Sequence, residues 1–247
     1  MTQLIEHINE WNQPQLFSLC VTVLICFIIG ITVFIMCKKS DPTKAPNGFL
    51  IAMEGYLNFF ETTFDEATEG KISKTRVYLF VLGTFLLIGN LVGIIGLEPI
   101  ATSYSIPFTL ALITWLGIYV IGFIYQKFSF FKKYLNPLEF LSQFVPLISL
   151  SFRIFGNIIA GSTIVFLVYY LFGRAWLVFP LENNMPWFFF FGPVANSVLH
   201  LYFDIFGAFI QALVFTSLTL IYWVNEAETK AKKEKKIKTR NTKQVIY

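Results

Sequence analysis

Residues 137–172 read PLEFLSQFVPLISLSFRIFGNIIAGSTIVFLVYYLF, an apolar run of 36 residues whose only charges are Glu139 and Arg153. Wound as an α-helix at about 1.5 Å per residue it extends about 54 Å, whereas the hydrocarbon core of a bilayer is about 30 Å thick. Such a segment is either two helices or one helix lying steeply inclined. No Lys-rich or Gly/Pro-rich turn divides it, although Pro146 stands where it can bend it. A second stretch of the same kind, residues 187–225, carries its apolar run from Trp187 to Trp223, with Gly192 and Pro193 near its start. The expectation is a hairpin of two long inclined helices joined by the loop Gly173 to Pro186.

Working outward, three further runs have ordinary spanning length, 16–37, 77–97 and 107–126, and none contains Asp, Glu, Lys or Arg. Each reads as a transmembrane helix. Glu98-Pro99 ends the second, and Pro107 begins the third, in a first-turn position that tolerates a missing N–H. The fold class expected is an all-α membrane protein, three ordinary transmembrane helices plus the long hairpin, forming one membrane domain over 1–247. Composition agrees: 55% of residues are hydrophobic and 14% charged, against roughly 25% charged in soluble domains.

The rest is loops and flanks. Between the first two spans, residues 40–70 interleave Phe49, Leu50, Met53, Leu57, Phe60 and Phe64 with Glu54, Glu61, Asp65 and Glu66. That spacing suits an amphipathic helix on the cytoplasmic membrane surface, and a partner-binding helix has the same pattern. The first run follows Glu6, His7 and Glu10 and precedes Lys38 and Lys39, the reverse of a secretory signal, so it reads as a retained span. Cys20, Cys26 and Cys37 share one apolar segment without CxxC spacing and read as packing residues rather than a disulfide framework or metal site.

Lys and Arg set the orientation. The segment 1–15 has none, Lys38 to Arg76 has six, Leu97 to Ile106 none, Lys127 to Lys133 three, Gly173 to Pro186 one, and the tail 226–247 eight. With five crossings these counts place the N-terminus outside and the C-terminus in the cytoplasm. The basic tail holds most of the net charge of +4; it is a topology signal and a contact for membrane lipids, and no nucleic acid partner is inferred from it.

Charge inside an apolar span marks function by default, since Arg or Asp at mid-helix costs about 2.5 to 3.5 kcal/mol on insertion scales. Arg153 stays protonated and cannot relay a proton by losing one; a structural role for it is an ion pair with Glu139 or Asp204. Arg153 and Asn157 lie one turn apart, with Gly161 continuing that face, so a polar stripe meets small residues where another helix can approach. On the last long helix His200, Asp204, Gly207 and Gln211 recur at spacings of four, three and four, one stripe that forms either a proton wire or a polar seam between helices.

The segment SLSFRIFGNIIAG, residues 149–161, together with Gln211 in IQALVFTSLTLIYW, resembles the signature of subunit a of F-type ATP synthases. The resemblance runs from about Asn47 to Asn225 and includes Asn90-Leu91-Val92-Gly93 and Asn136-Pro137. It implies that Arg153 is the essential arginine, Asn157 its neighbouring amide, Glu139 the acid of the cytoplasmic exit path, and Asp204 an acid of the outer entry path. Ser162 departs from the family, many of whose members place Glu or His there, leaving Asp204 and His200 to titrate on the entry side.

The implied function is that of a stator subunit with two offset half-channels to a ring of c subunits, so that proton flow drives rotation and ATP synthesis, or ATP hydrolysis drives proton pumping. The implied partners are the c-ring and the peripheral-stalk subunit b; ATP chemistry belongs to other subunits, and no cofactor or metal is expected. The membrane expected is a bacterial plasma membrane, ahead of the mitochondrial inner membrane. A self-contained proton-coupled transporter built on Glu139, Arg153 and Asp204 is the alternative; it calls for inverted repeats and broken helices, which the sequence does not display. A membrane-embedded enzyme would need a nucleophile or metal ligands near the midplane, where the spans offer isolated Ser, Thr and Cys.

Overall fold

A computed structural model describes residues 14–40, 47–68, 72–126, 137–178 and 191–245. Among them the regular elements are α-helices, with short 3₁₀ turns, and no strand. In chain order these are α1 Pro14–Lys39, α2 Gly48–Thr68, α3 Arg76–Leu91, α4 Ser105–Gln126, α5 Pro137–Ser142, α6 Phe144–Val178 and α7 Phe191–Val245. Among the described residues five stretches are long and apolar enough to cross a membrane: Gln15–Lys39, Arg76–Ile95, Ser105–Gln126, Pro137–Ala175 and Gly192–Ala227. The protein is an all-α, multi-pass membrane protein.

The hub is α7, which packs against α3, α4 and α6. Its Ala212, Phe215, Leu220 and Trp223 are buried with Leu79, Leu82 and Leu86 of α3, Ala111 and Ile118 of α4, and Leu150 and Ile154 of α6. Polar side chains fix the register within this apolar seam. Trp223 donates its indole N–H to the Thr114 carbonyl at 3.0 Å, and Gln126 Nε2 donates to the Glu226 carbonyl and to Glu226 Oε1, at 2.7 and 2.9 Å. Buried hydroxyls such as Thr216 and Thr219 donate to carbonyls one turn back in their own helix, so they enter the apolar seam without an orphan donor. By contrast α1 exposes Phe17, Phe27 and Phe34 and turns Ser18 and Thr22 inward. Its surface is that of a helix whose solvent is lipid.

Helix α2 lies against α3 and α7. Phe60 and Tyr56 meet Phe80 edge-on, Tyr56 shares a hydrogen bond with Thr84 at 3.1 Å, and Arg76 at the start of α3 pairs with Asp65 and Glu61.

Several boundaries differ from the sequence reading. The first long segment is not one helix: it breaks at Gln143 between α5 and α6. Pro146 has no N–H to give the Ser142 carbonyl and its ring crowds that turn, while Trp115 Nε1 donates to the Gln143 carbonyl at 2.8 Å and holds the break against α4. The same segment continues past Gly173 to Val178, and the rest of the expected loop lies outside the described residues. Helix α7 runs on through the expected tail to Val245, because AETKAKKEKKIK contains strong helix formers and neither Gly nor Pro. The second span closes earlier than 97, through a 3₁₀ turn Val92–Ile95 to Gly96 at φ 85°, a left-handed conformation that glycine adopts without a Cβ penalty. The N-terminal segment with Glu6, His7 and Glu10, and the basic stretch Lys127 to Lys133, lie outside the described residues.

Candidate functional site

The turn that ends α3, the middle of α6 and the first half of α7 line one large, half-open cavity whose mostly apolar wall carries a set of polar side chains. Its volume is about 800 Å³, and its lining includes Asn157, Ser162, His200, Asp204, Gly207 and Gln211. Five residues singled out for the proton path in the sequence thus share one wall system: Asn157, Ser162, His200, Asp204 and Gln211. The stripe on α7 is a cavity lining rather than a sealed polar seam.

Two close approaches shape it. A Cβ on Gly207 would stand 3.8 Å from Asn157 Nδ2, which brings α6 and α7 together at the level of the amide. A Cβ on Gly93 would stand 3.5 Å from Asp204 Cγ and Oδ2, so the aspartate carboxyl rests against bare backbone of the turn after α3. Ser162 donates its hydroxyl to the Ile158 carbonyl at 2.9 Å. It lines the cavity without offering that proton to it.

The cavity has a definite extent. Along α7 it runs from Ser197 to Gln211, about 21 Å of helix at 1.5 Å per residue. One turn beyond Gln211 the same helix is sealed by fully buried Phe215, followed by Thr219 and Leu220. On α6 it includes Asn157 and Gly161 but not Arg153, one turn before Asn157.

Arg153 and Glu139 stand apart from that cavity. Among the described residues no ion pair joins Arg153 to Glu139 or Asp204, which removes the ion-pair explanation; its guanidinium Nη2 stands 3.5 Å from Ser149 Oγ. Arg153, Gly156, Asn157 and Ala160 form an exposed stripe on α6, with open space beside Gly156. Glu139 sits on the short helix α5, on the other side of the Gln143 break, and its carbonyl accepts from Ser142 Oγ at 2.8 Å.

Among the polar residues of the wall, sequence reasoning did not place Asn90, Glu98, Thr102, Ser197 and Tyr202 there. Glu98 is the informative one. In the sequence it ends the second span, yet in the fold it is an acid on the wall beside His200 and Asp204 and accepts a hydrogen bond from Gln15 Nε2 of α1 at 2.6 Å. An acid directly after a charge-free span was the available signal.

Residues 18–224 match the family described as ATP synthase A chain. The chain belongs to the ATP synthase A chain family. Similar members include "ATP synthase subunit a" of Mycoplasma genitalium, 31% identical over 244 residues, covering 89% of this chain and 82% of that one. The protein of the same name in Mycoplasma pneumoniae is 30% identical over 230 residues, covering 85% and 77%, and that of Ehrlichia ruminantium is 29% identical over 229 residues, covering 87% and 89%. The matched A chain region contains both α6 and the apolar part of α7, so the cavity and the exposed Arg153 stripe fall wholly inside it.

Proposed function

We propose that this chain is the proton-carrying stator subunit of a rotary ATP synthase, with the cavity as the outer half-channel and Glu139 on the inner one. The observation that carries this reading is the cavity with His200, Asp204 and Gln211 on its wall, which stops at Gln211 and Asn157, one helical turn from an exposed arginine without an ion pair. A passage lined by the first half of α7 and closed at Phe215 is what a half-channel requires; a through-pore would dissipate the gradient.

Protons enter past Glu98, His200 and Asp204, groups able to bind and release them, and reach the α6 face at Asn157. There a rotor carboxylate takes the proton and, neutral, enters lipid at low cost. Arg153 acts on the carboxylate at the end of its circuit: a permanent positive charge nearby favours the ionised form, so the proton leaves toward Glu139. Because the guanidinium does not deprotonate, it passes no proton itself. Each charge moved across 100 mV is worth about 2.3 kcal/mol, which is the work available per rotor step.

The exposed Arg153 stripe on α6 is the face we assign to the c-ring, and the remaining lipid-type surfaces leave room for the peripheral-stalk subunit b. The Lys and Arg distribution supports an outer N-terminus and a cytoplasmic C-terminus in a bacterial plasma membrane.

Composition of the complex tests the reading. After gentle solubilisation and affinity capture, this chain is expected to bring with it a small hairpin-type rotor protein in several copies and soluble ATPase subunits. Recovery of the chain alone, with intact fold, would contradict the stator role.

A further inference from the structure

Gln211, at the inner end of the cavity, and Asn90 on its α3 wall are two amides buried without completed hydrogen bonding. Asn90 of α3 is 6% exposed and Gln211 of α7 is 4% exposed; both line the cavity. Asn90 Oδ1, an acceptor, and Gln211 Nε2, a donor, each lack a partner in the protein. The two atoms are complementary, yet they are not bonded to each other. A buried polar atom left this way is satisfied in native structures by ordered water, and a volume of about 800 Å³ is ample against roughly 30 Å³ per water.

We propose that Asn90 Oδ1 and Gln211 Nε2 orient the last ordered waters of the entry path, making Asn90 a positioning residue for proton delivery to the rotor. This rests on the half-channel reading above. The water beside Gln211 receives the amide N–H on its oxygen and turns its hydrogens onward; the water beside Asn90 gives one hydrogen to the carbonyl oxygen. A proton arriving on such a water forms a new O–H bond, and a different O–H bond breaks as a proton leaves toward the rotor. Neither amide gains or loses a proton. The titratable groups on this cavity are His200, Tyr202 and Asp204 from α7 and Glu98 from the turn before α4, while α6 contributes the uncharged Asn157 and Ser162.

The test uses the assembled complex in vesicles and measures proton flux from pH 6 to 9 for Asn90→Leu, Asn90→Asp and, as reference, Asp204→Asn. Asn90→Leu keeps the volume and removes the acceptor; its flux is expected to fall about tenfold with unchanged subunit composition. Asn90→Asp keeps an acceptor oxygen, so flux within about threefold of the parent is expected, with a new titration step in the pH profile. Flux within twofold of the parent for Asn90→Leu overturns the proposal, and so does an equal loss in both variants without a new step, which is the signature of a packing role. If Asn90→Leu fails to assemble, the step in Asn90→Asp decides alone. Loss in Asp204→Asn with none in Asn90→Leu sinks this proposal and leaves the half-channel standing; no loss in either sinks both.

Discussion

Replacing Arg153 by alanine is expected to lower proton-driven ATP synthesis by about 100-fold or more while the complex still assembles. An opposite charge close by shifts a carboxylate by about one to three pKa units, and each unit is a factor of ten in the balance between protonated and ionised forms. Without that charge a loaded rotor site passes the exit path still protonated, and the turn delivers no net proton. Assembly is spared because the side chain is exposed and holds only the 3.5 Å contact to Ser149; no buried partner is orphaned. Rates of synthesis in energised vesicles, beside quantified subunit composition, check both halves of the expectation. Coupled synthesis within a few-fold of the parent would remove Arg153 from its assigned place.

The second large effect separates two positions on the same cavity. Asp204→Asn is expected to reduce proton flux by at least about tenfold, and Ser162→Ala by less than about twofold. A positioned proton-transfer group contributes about 10² to 10⁴ in rate; the floor is set below that range, at about tenfold, because His200 and Glu98 remain on the wall. Ser162 cannot titrate, and its hydroxyl is already committed to the Ile158 carbonyl. Flux measured by the decay of an imposed pH gradient gives the ratio directly. Equal effects would take Asp204 out of the relay.

These two residues also show what a linear sequence can and cannot disclose. The membrane class and the five apolar crossings follow from run length, since the cost of a charge in lipid leaves little freedom in composition. The α7 stripe was legible because helical period alone puts His200, Asp204 and Gln211 on one face, and Asn157 and Ser162 come to them through the Gly161 and Gly207 contacts that the small-residue stripe foreshadowed. Glu98 and Asn90 were not legible as wall residues. Their place depends on how the turn after α3 folds over α7, with Gly93 bare against Asp204, and no periodicity within one segment encodes contact between two. The break at Gln143 was half visible: Pro146 announced a bend, but the Trp115 hydrogen bond that fixes it comes from a helix 28 positions away. The helical tail was read by charge and not by propensity, and propensity decided its conformation.

In the proposed arrangement two water paths, open to opposite sides, end on either side of Arg153. The most direct measurement is reaction of single introduced thiols with a membrane-impermeant reagent applied from one side at a time, after Cys20, Cys26 and Cys37 are replaced. Ser197→Cys and Ser162→Cys are expected to react from the outer side only, and Glu139→Cys from the cytoplasmic side only. Reaction of either cavity position from the cytoplasm, or of position 139 from outside, would mean that no barrier stands at Arg153.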